Sequence, residues 1–211
     1  MNNVKKYYIG DSCLAIQLSN KIDIEISQKI LTLYKIIKKN SLLKDLGVYD
    51  VVPSYNTLAI HFNSLDANQI ELEIDSLLAE NAGNLNQVKF NSFELEVDYN
   101  GEDLERVANL NNLSVEEVID IHTKSDFSVA MIGFISYFPY LIGLDERLIT
   151  PRLDKPRTKV PAGSVAIGAA QCAIYPKETP GGWNLIGLTD PNILKEIQPG
   201  DKIKFINKGL K

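Results

Sequence analysis

The chain has 211 residues, 45% hydrophobic and 23% charged, with a net charge of −5 and a pI near 5.1. That is the mix of a folded globular protein, long enough for two cores of about 100 residues each. The acidic balance disfavours a sequence-independent nucleic-acid binder, no apolar run approaches the ~18 residues that span a bilayer, and Met1 to Tyr8 lacks the apolar core of a secretory signal.

The two cysteines, Cys13 and Cys172, lie far apart, and no Cys/His cluster has metal-ligand spacing. Two reduced, structural thiols and no metal site are expected, in a cytoplasmic protein without nucleic-acid or membrane partners.

In chain order, Tyr7-Tyr8-Ile9 and Cys13 to Leu18 flank the turn signal Gly10-Asp11 and predict a strand pair. Ile26, Ile30, Leu33 and Ile37 fall on one face of a helix over 23–39, with Asp23 as its N-cap. Leu46-Gly47 ends it. Residues 48–52 and 57–62 predict strands around the turn Pro53-Ser-Tyr-Asn56, and Leu58, Ile60 and Phe62 alternate inward. A second amphipathic helix, over 65–80, carries Ile70, Ile74, Leu77 and Leu78. Residues 92–98 then alternate, Phe93, Leu95 and Val97 inward against Glu94, Glu96 and Asp98 outward. The acidic row reads as a solvent face rather than a metal site.

Strand, helix, strand pair, helix, strand is the order of a split βαβ, ferredoxin-like domain, predicted to span 1–98. Tyr99 to Glu102 reads as the link to a second domain, 99–211. Asp103 to Leu110 predicts a short helix, and Ser114-Val-Glu-Glu117 a capping box that opens a helix ending near His122. Residues 126–134 predict a buried strand. Beyond them come short apolar runs between Gly and Pro turns, densest from Val160 to Pro191, which predicts a small closed β-barrel. The fold class is therefore α+β.

Several motifs then carry a resemblance. They are Val52-Pro-Ser-Tyr55, Gly133-Phe134 with Tyr140-Leu141, the pairs Pro151-Arg152 and Pro156-Arg157, and Pro161-Ala-Gly-Ser-Val-Ala-Ile167. Ile174-Tyr-Pro176, Pro180-Gly-Gly-Trp183, Leu185-Ile-Gly187 and Pro199-Gly-Asp201 follow. In this order, over nearly the whole chain, they resemble the family of kinase A inhibitors and 5-oxoprolinase B subunits, also called allophanate hydrolase subunit 1. The resemblance implies a ferredoxin-like N-terminal domain and a cyclophilin-like β-barrel. It implies a component of an ATP-dependent 5-oxoprolinase that opens 5-oxoproline to glutamate. Its implied partners are a homologous, biotin-dependent carboxylase-like C component and a third, A component. Related domains belong to urea carboxylase, and one branch inhibits a sporulation sensor histidine kinase. Three places depart from the family pattern. Ser136-Tyr137 stands for its Pro-Gly, Leu188 for an Arg, and Cys172-Ala173 for Thr-Gly.

No Gly-rich phosphate loop precedes a helix, so ATP is expected at the level of the complex rather than in this chain alone. Arg152 and Arg157 are candidate carboxylate or phosphate clamps, or else structural ion pairs on a rim loop. His122 is the candidate acid/base, or else a helix C-terminal histidine that satisfies the dipole. Gln171, Tyr175 and Trp183 are candidate pocket walls, with Trp183 alternatively pinning Pro180-Gly-Gly to the barrel. Gly181, Gly182 and Thr189 complete the candidate substrate contacts.

Overall fold

The computed structural model describes residues 4–63, 66–81 and 89–210. The chain divides into two compact units, Met1–Lys89 and Phe90–Lys211. Among the described residues no helix is long and apolar enough to cross a membrane.

In the first unit, β1 (Lys5–Tyr8) and β2 (Cys13–Gln17) form the predicted hairpin, with Gly10 at φ +66° in the turn. α1 (Ile24–Lys39) begins where predicted, because the Asp23 carboxylate accepts the Ile26 N–H at 2.8 Å, a cap worth about 1 kcal/mol. A short α2 (Ser41–Asp45) precedes β3 (Val48–Ser54), β4 (Thr57–Phe62) and α3 (Ala67–Glu80). The antiparallel sheet runs β1-β2-β4-β3. Ile30, Leu33 and Ile37 of α1 and Ile70 and Ile74 of α3 pack with Leu14, Ile16, Leu58, Ile60 and Phe62 of the sheet.

The predicted closing strand of this sheet is not there. β1 takes the edge beside β2, and residues 92–98 belong to the second unit. There β5 (Ser92–Val97) pairs in parallel with β13 (Lys202–Asn207), Leu95 opposite Phe205. The unit boundary accordingly follows Lys89, not residue 98. Leu95 and Val97 are buried in the second core, which stabilises that placement by about 1.5–3 kcal/mol per side chain.

Two helices follow, α4 (Leu104–Leu110) and α5 (Val115–Lys124). The Ser114–Glu117 capping box forms as predicted. The remaining strands are β6 (Phe127–Ile132), β7 (Pro139–Ile142), β8 (Arg157–Val160), β9 (Ser164–Gly168), β10 (Gln171–Ile174), β11 (Thr179–Gly181) and β12 (Asn184–Leu188). Seven of the second unit's strands form one sheet, β12-β9-β10-β7-β6-β13-β5, while β8 and β11 make a separate ribbon. Asp98 and Leu188 exchange two main-chain hydrogen bonds of 2.9 Å, which joins the β5 end to the β12 end in a nearly closed barrel. All seven strands contribute to one apolar cluster, so that cluster fills the inside. Val107, Val118 and Ile121 of the two helices join it.

Candidate functional site

Strand alternation gives β9, β10 and β12 two faces with different fates. Val165, Ile167, Cys172, Ile174 and Ile186 point into the barrel. Ala166, Ala173, Tyr175 and Leu185 point outward and gather Trp183, Phe138 and Val160 into a second cluster. Over this outer cluster lies a cleft of about 330 Å³, walled by Phe138, Tyr140, Tyr175 and Trp183, with Phe134, Arg152, Pro156, Pro180, Gly181 and Gly182 at its sides.

The rings form an edge-to-face box. Phe138 meets Tyr175 at 5.0 Å and 87°, and Trp183 at 6.3 Å and 88°. Tyr140 lies 5.8 Å from Trp183. Such pairs add about 0.5–1.5 kcal/mol beyond their buried area and fix the walls. Two glycines are sterically required. A Cβ on Gly168 would sit 2.4 Å from the Trp183 ring, and one on Gly181 would sit 2.3 Å from the Tyr175 hydroxyl. Gly182 is different, since a Cβ there meets only Pro156 at 3.6 Å.

Among the described residues Arg152 is the one charged residue that lines the cleft. Its guanidinium carbon lies 5.1 Å above the Trp183 ring, a cation–π contact. The main chain on both sides of it is stitched down. Buried Asn184 donates from Nδ2 to the Pro151 carbonyl at 3.0 Å and to the Ile167 carbonyl at 3.0 Å, while its Oδ1 accepts from Arg106 Nε at 3.1 Å. The Leu153 N–H donates to the Gly182 carbonyl at 2.8 Å. Arg152 is therefore held between two fixed neighbours, and among the described residues no carboxylate pairs with it.

Arg157 is spoken for. Its Nη2 donates to Asp103 at 2.8 Å and its Nε to Glu102 at 3.3 Å, which raises its pKa, and Asp103 also accepts the Leu185 N–H at 2.7 Å. The pair ties the start of α4 to β8 and β12, so Arg157 is the structural ion pair of the two alternatives. Gln171 opens β10 while Tyr175 follows its last residue, about 13 Å of extended chain away, and Gln171 does not line the cleft. Thr189 donates its N–H to the Gly163 carbonyl at 2.9 Å and holds the turn at Gly163, outside the cleft.

His122 lies away from the cleft. It is fully buried among Phe127 and Phe205 inside the barrel. The Tyr99 hydroxyl lies 2.7 Å from Nδ1 and Cys172 Sγ lies 3.5 Å from Nε2. Loss of water pushes its pKa down to about 3, and the same desolvation raises the Tyr99 and Cys172 pKa values. The imidazole thus lies on the far face of β10 from the cleft, packed as a core group. Among the described residues lining the cleft there is no carboxylate, histidine or lysine. Burial raises the hydroxyl pKa of Tyr140 and of Tyr175, opposed weakly by Arg152 and, for Tyr175, more by the Trp183 main-chain N–H. The lining therefore combines apolar aromatic walls with a single guanidinium.

Comparison with known proteins decides the family. Residues 4–199 match the carboxyltransferase domain, subdomains C and D. The chain is 32% identical over 220 residues to the B subunit of 5-oxoprolinase from Bacillus subtilis, covering 94% of this chain and 90% of that one. It is 38% identical over 180 residues to the B subunit of 5-oxoprolinase from Haemophilus influenzae, covering 80% and 84%. The chain belongs to the family of 5-oxoprolinase B subunits. Among solved structures, TTHA0988 superposes with a TM-score of 0.75 at 30% identity. The match covers 97% of this chain but 40% of that one, so there the fold is part of a longer polypeptide.

The departures from the family pattern now have places. Tyr137 takes the left-handed conformation at φ +66°, as Phe134 does at φ +67°. Strain of order 1 kcal/mol or more at each leaves two exposed rings on the loop beside the cleft. Leu188 closes the barrel with its main chain and turns its side chain outward. The sequence pattern points to Arg152, Tyr175, Gly181, Gly182 and Trp183, which the structure brings together. It does not single out Phe138, Tyr140, Pro156 and Pro180 as walls or Asn184 as the anchor. The available signal was the alternation of Phe138 and Tyr140 beside Pro180-Gly-Gly-Trp183.

Proposed function

We propose that this chain is a non-autonomous subunit of an ATP-dependent 5-oxoprolinase, and that the outer-face cleft is its part of a composite site. Its family and the names of its relatives support the assignment. One observation carries the non-autonomous part: the cleft offers apolar walls and a cation but no acid, base or nucleophile that works at neutral pH. Opening a lactam needs carbonyl activation and an attacking water. Those groups come from another chain, the homologous C component or the A component of the enzyme.

The lining of the cleft is poorly matched to a triphosphate. A triphosphate needs several cations or a run of main-chain N–H donors, and the lining supplies one guanidinium. In this reading ATP is used at the level of the complex rather than in this cleft. The test is glutamate formation from 5-oxoproline and ATP by this chain, alone and mixed with candidate A and C components. The expected result is no turnover alone and turnover in the complete mixture. No glutamate in any combination rejects the assignment.

A further inference from the structure

We infer that the cleft is a carboxylate subsite. Arg152, above Trp183, receives the carboxylate of a small saturated-ring acid, and Phe138, Tyr140, Tyr175 and Trp183 take its ring. The choice of 5-oxoproline as that acid rests on the 5-oxoprolinase reading, whereas the carboxylate and ring chemistry follows from the cleft itself.

The sign comes from charge. Arg152 is the sole charged lining residue, and no carboxylate among the described residues neutralises it. A guanidinium offers a planar fork of donors that matches a carboxylate with two parallel hydrogen bonds. Arg157 has the same fork, but Asp103 and Glu102 already take its Nη2 and Nε, and its remaining Nη1 is buried outside the cleft. Two guanidinia that look alike in sequence, each after a proline, are thereby told apart by what already pairs with them.

The size comes from the walls. About 330 Å³ lies at the small end of ligand pockets, which run from about 300 to 1,000 Å³, and suits one ring. Aromatic faces favour the C–H edges of a saturated ring over a strongly hydrated polar group. Affinity is helped by order that exists beforehand. The Asn184–Pro151 and Leu153–Gly182 hydrogen bonds fix the main chain on either side of Arg152, so less freedom is lost on binding. With the carboxylate anchored by this chain, the lactam carbonyl is left to the groups that a partner supplies.

Trp183 is the only tryptophan, so its emission reports on the cleft directly. The experiment titrates the chain, alone and in the assembled complex, with three probes. These are 5-oxoproline, cyclopentanecarboxylate, which keeps the ring and acid but lacks the lactam, and 2-pyrrolidinone, which keeps the lactam but lacks the acid. Both acids are expected to change the emission saturably, and 2-pyrrolidinone is not. Arg152→Gln is expected to raise Kd for both acids by about tenfold or more, while Arg157→Lys leaves them unchanged. Circular dichroism checks that each variant is folded. The inference is overturned if neither acid gives a saturable change up to about 10 mM, above the usual KM range. Equal binding of 2-pyrrolidinone, or an unchanged Kd in Arg152→Gln, overturns it too. The two proposals fail separately. A complex that makes glutamate with an unaltered KM in Arg152→Gln removes the subsite and keeps the function. A complex that makes no glutamate, while cyclopentanecarboxylate still binds through Arg152, keeps the subsite and removes the function.

Discussion

On one face of β10, Cys172 points at His122 and Tyr99; on the other, Tyr175 stands under Trp183 and Arg152. Both groups bring aromatic rings and polar tips within hydrogen-bonding or ring-contact distance. The inner group holds the residue types most often used for chemistry, a histidine, a thiol and a phenol, yet it is sealed among Phe127 and Phe205. The outer group holds no proton donor suited to neutral pH, yet it opens to solvent and carries an uncompensated charge. Access and pairing, not residue type, separate a site from a core.

The largest way to break this comparison is acid. His122 is neutral when folded, with a pKa near 3, against about 6.5 unfolded. The folded value is depressed, so below about 6.5 the unfolded chain gains a proton that the folded chain refuses. Stability is present above pH 6.5 and falls as the pH drops toward 3, by at most about 1.4 kcal/mol per unit. Urea midpoints from pH 7 to pH 4 should show this loss, and His122→Leu should flatten it. An equal slope in the variant removes His122 as the cause.

Next in size is Gly168→Ala, which drives a methyl into the Trp183 ring. A loss of about 1–3 kcal/mol and a shifted Trp183 emission are expected, measured by denaturant unfolding. Arg157→Ala should cost about 1–3 kcal/mol, because buried Asp103 loses its cation, and should leave carboxylate binding to the folded protein intact. The smallest effect on stability, about 0.5 kcal/mol or less, belongs to Gly182→Ala. Its methyl has room beside Pro156 but narrows the cleft, so ligand affinity falls while the unfolding midpoint holds. An unchanged affinity there places the ligand elsewhere.

The sequence is legible where the physics is local. The Asp23 cap, the Ser114–Glu117 box and the Gly10 turn each need only a few neighbouring residues. Residues 92–98 show the limit. Alternation identifies which side chains are buried, but not that the partner strand lies at 202–207. His122 looks like an acid/base by residue type, although its helix carries the warning. Val118, Ile121 and His122 stand at i, i+3 and i+4, which puts the imidazole on the buried stripe. The choice between Arg152 and Arg157 is closed to the sequence, since it depends on Asp103 reaching across from another element.

The most direct measurement is steady-state kinetics of the assembled complex carrying Arg152→Gln or His122→Gln, each assayed well below its unfolding temperature. The account predicts a KM for 5-oxoproline raised about tenfold or more by Arg152→Gln and kinetic constants little changed by His122→Gln. The opposite pattern, with an unaltered KM in Arg152→Gln and turnover abolished in folded His122→Gln, would place the working face inside the barrel and contradict it.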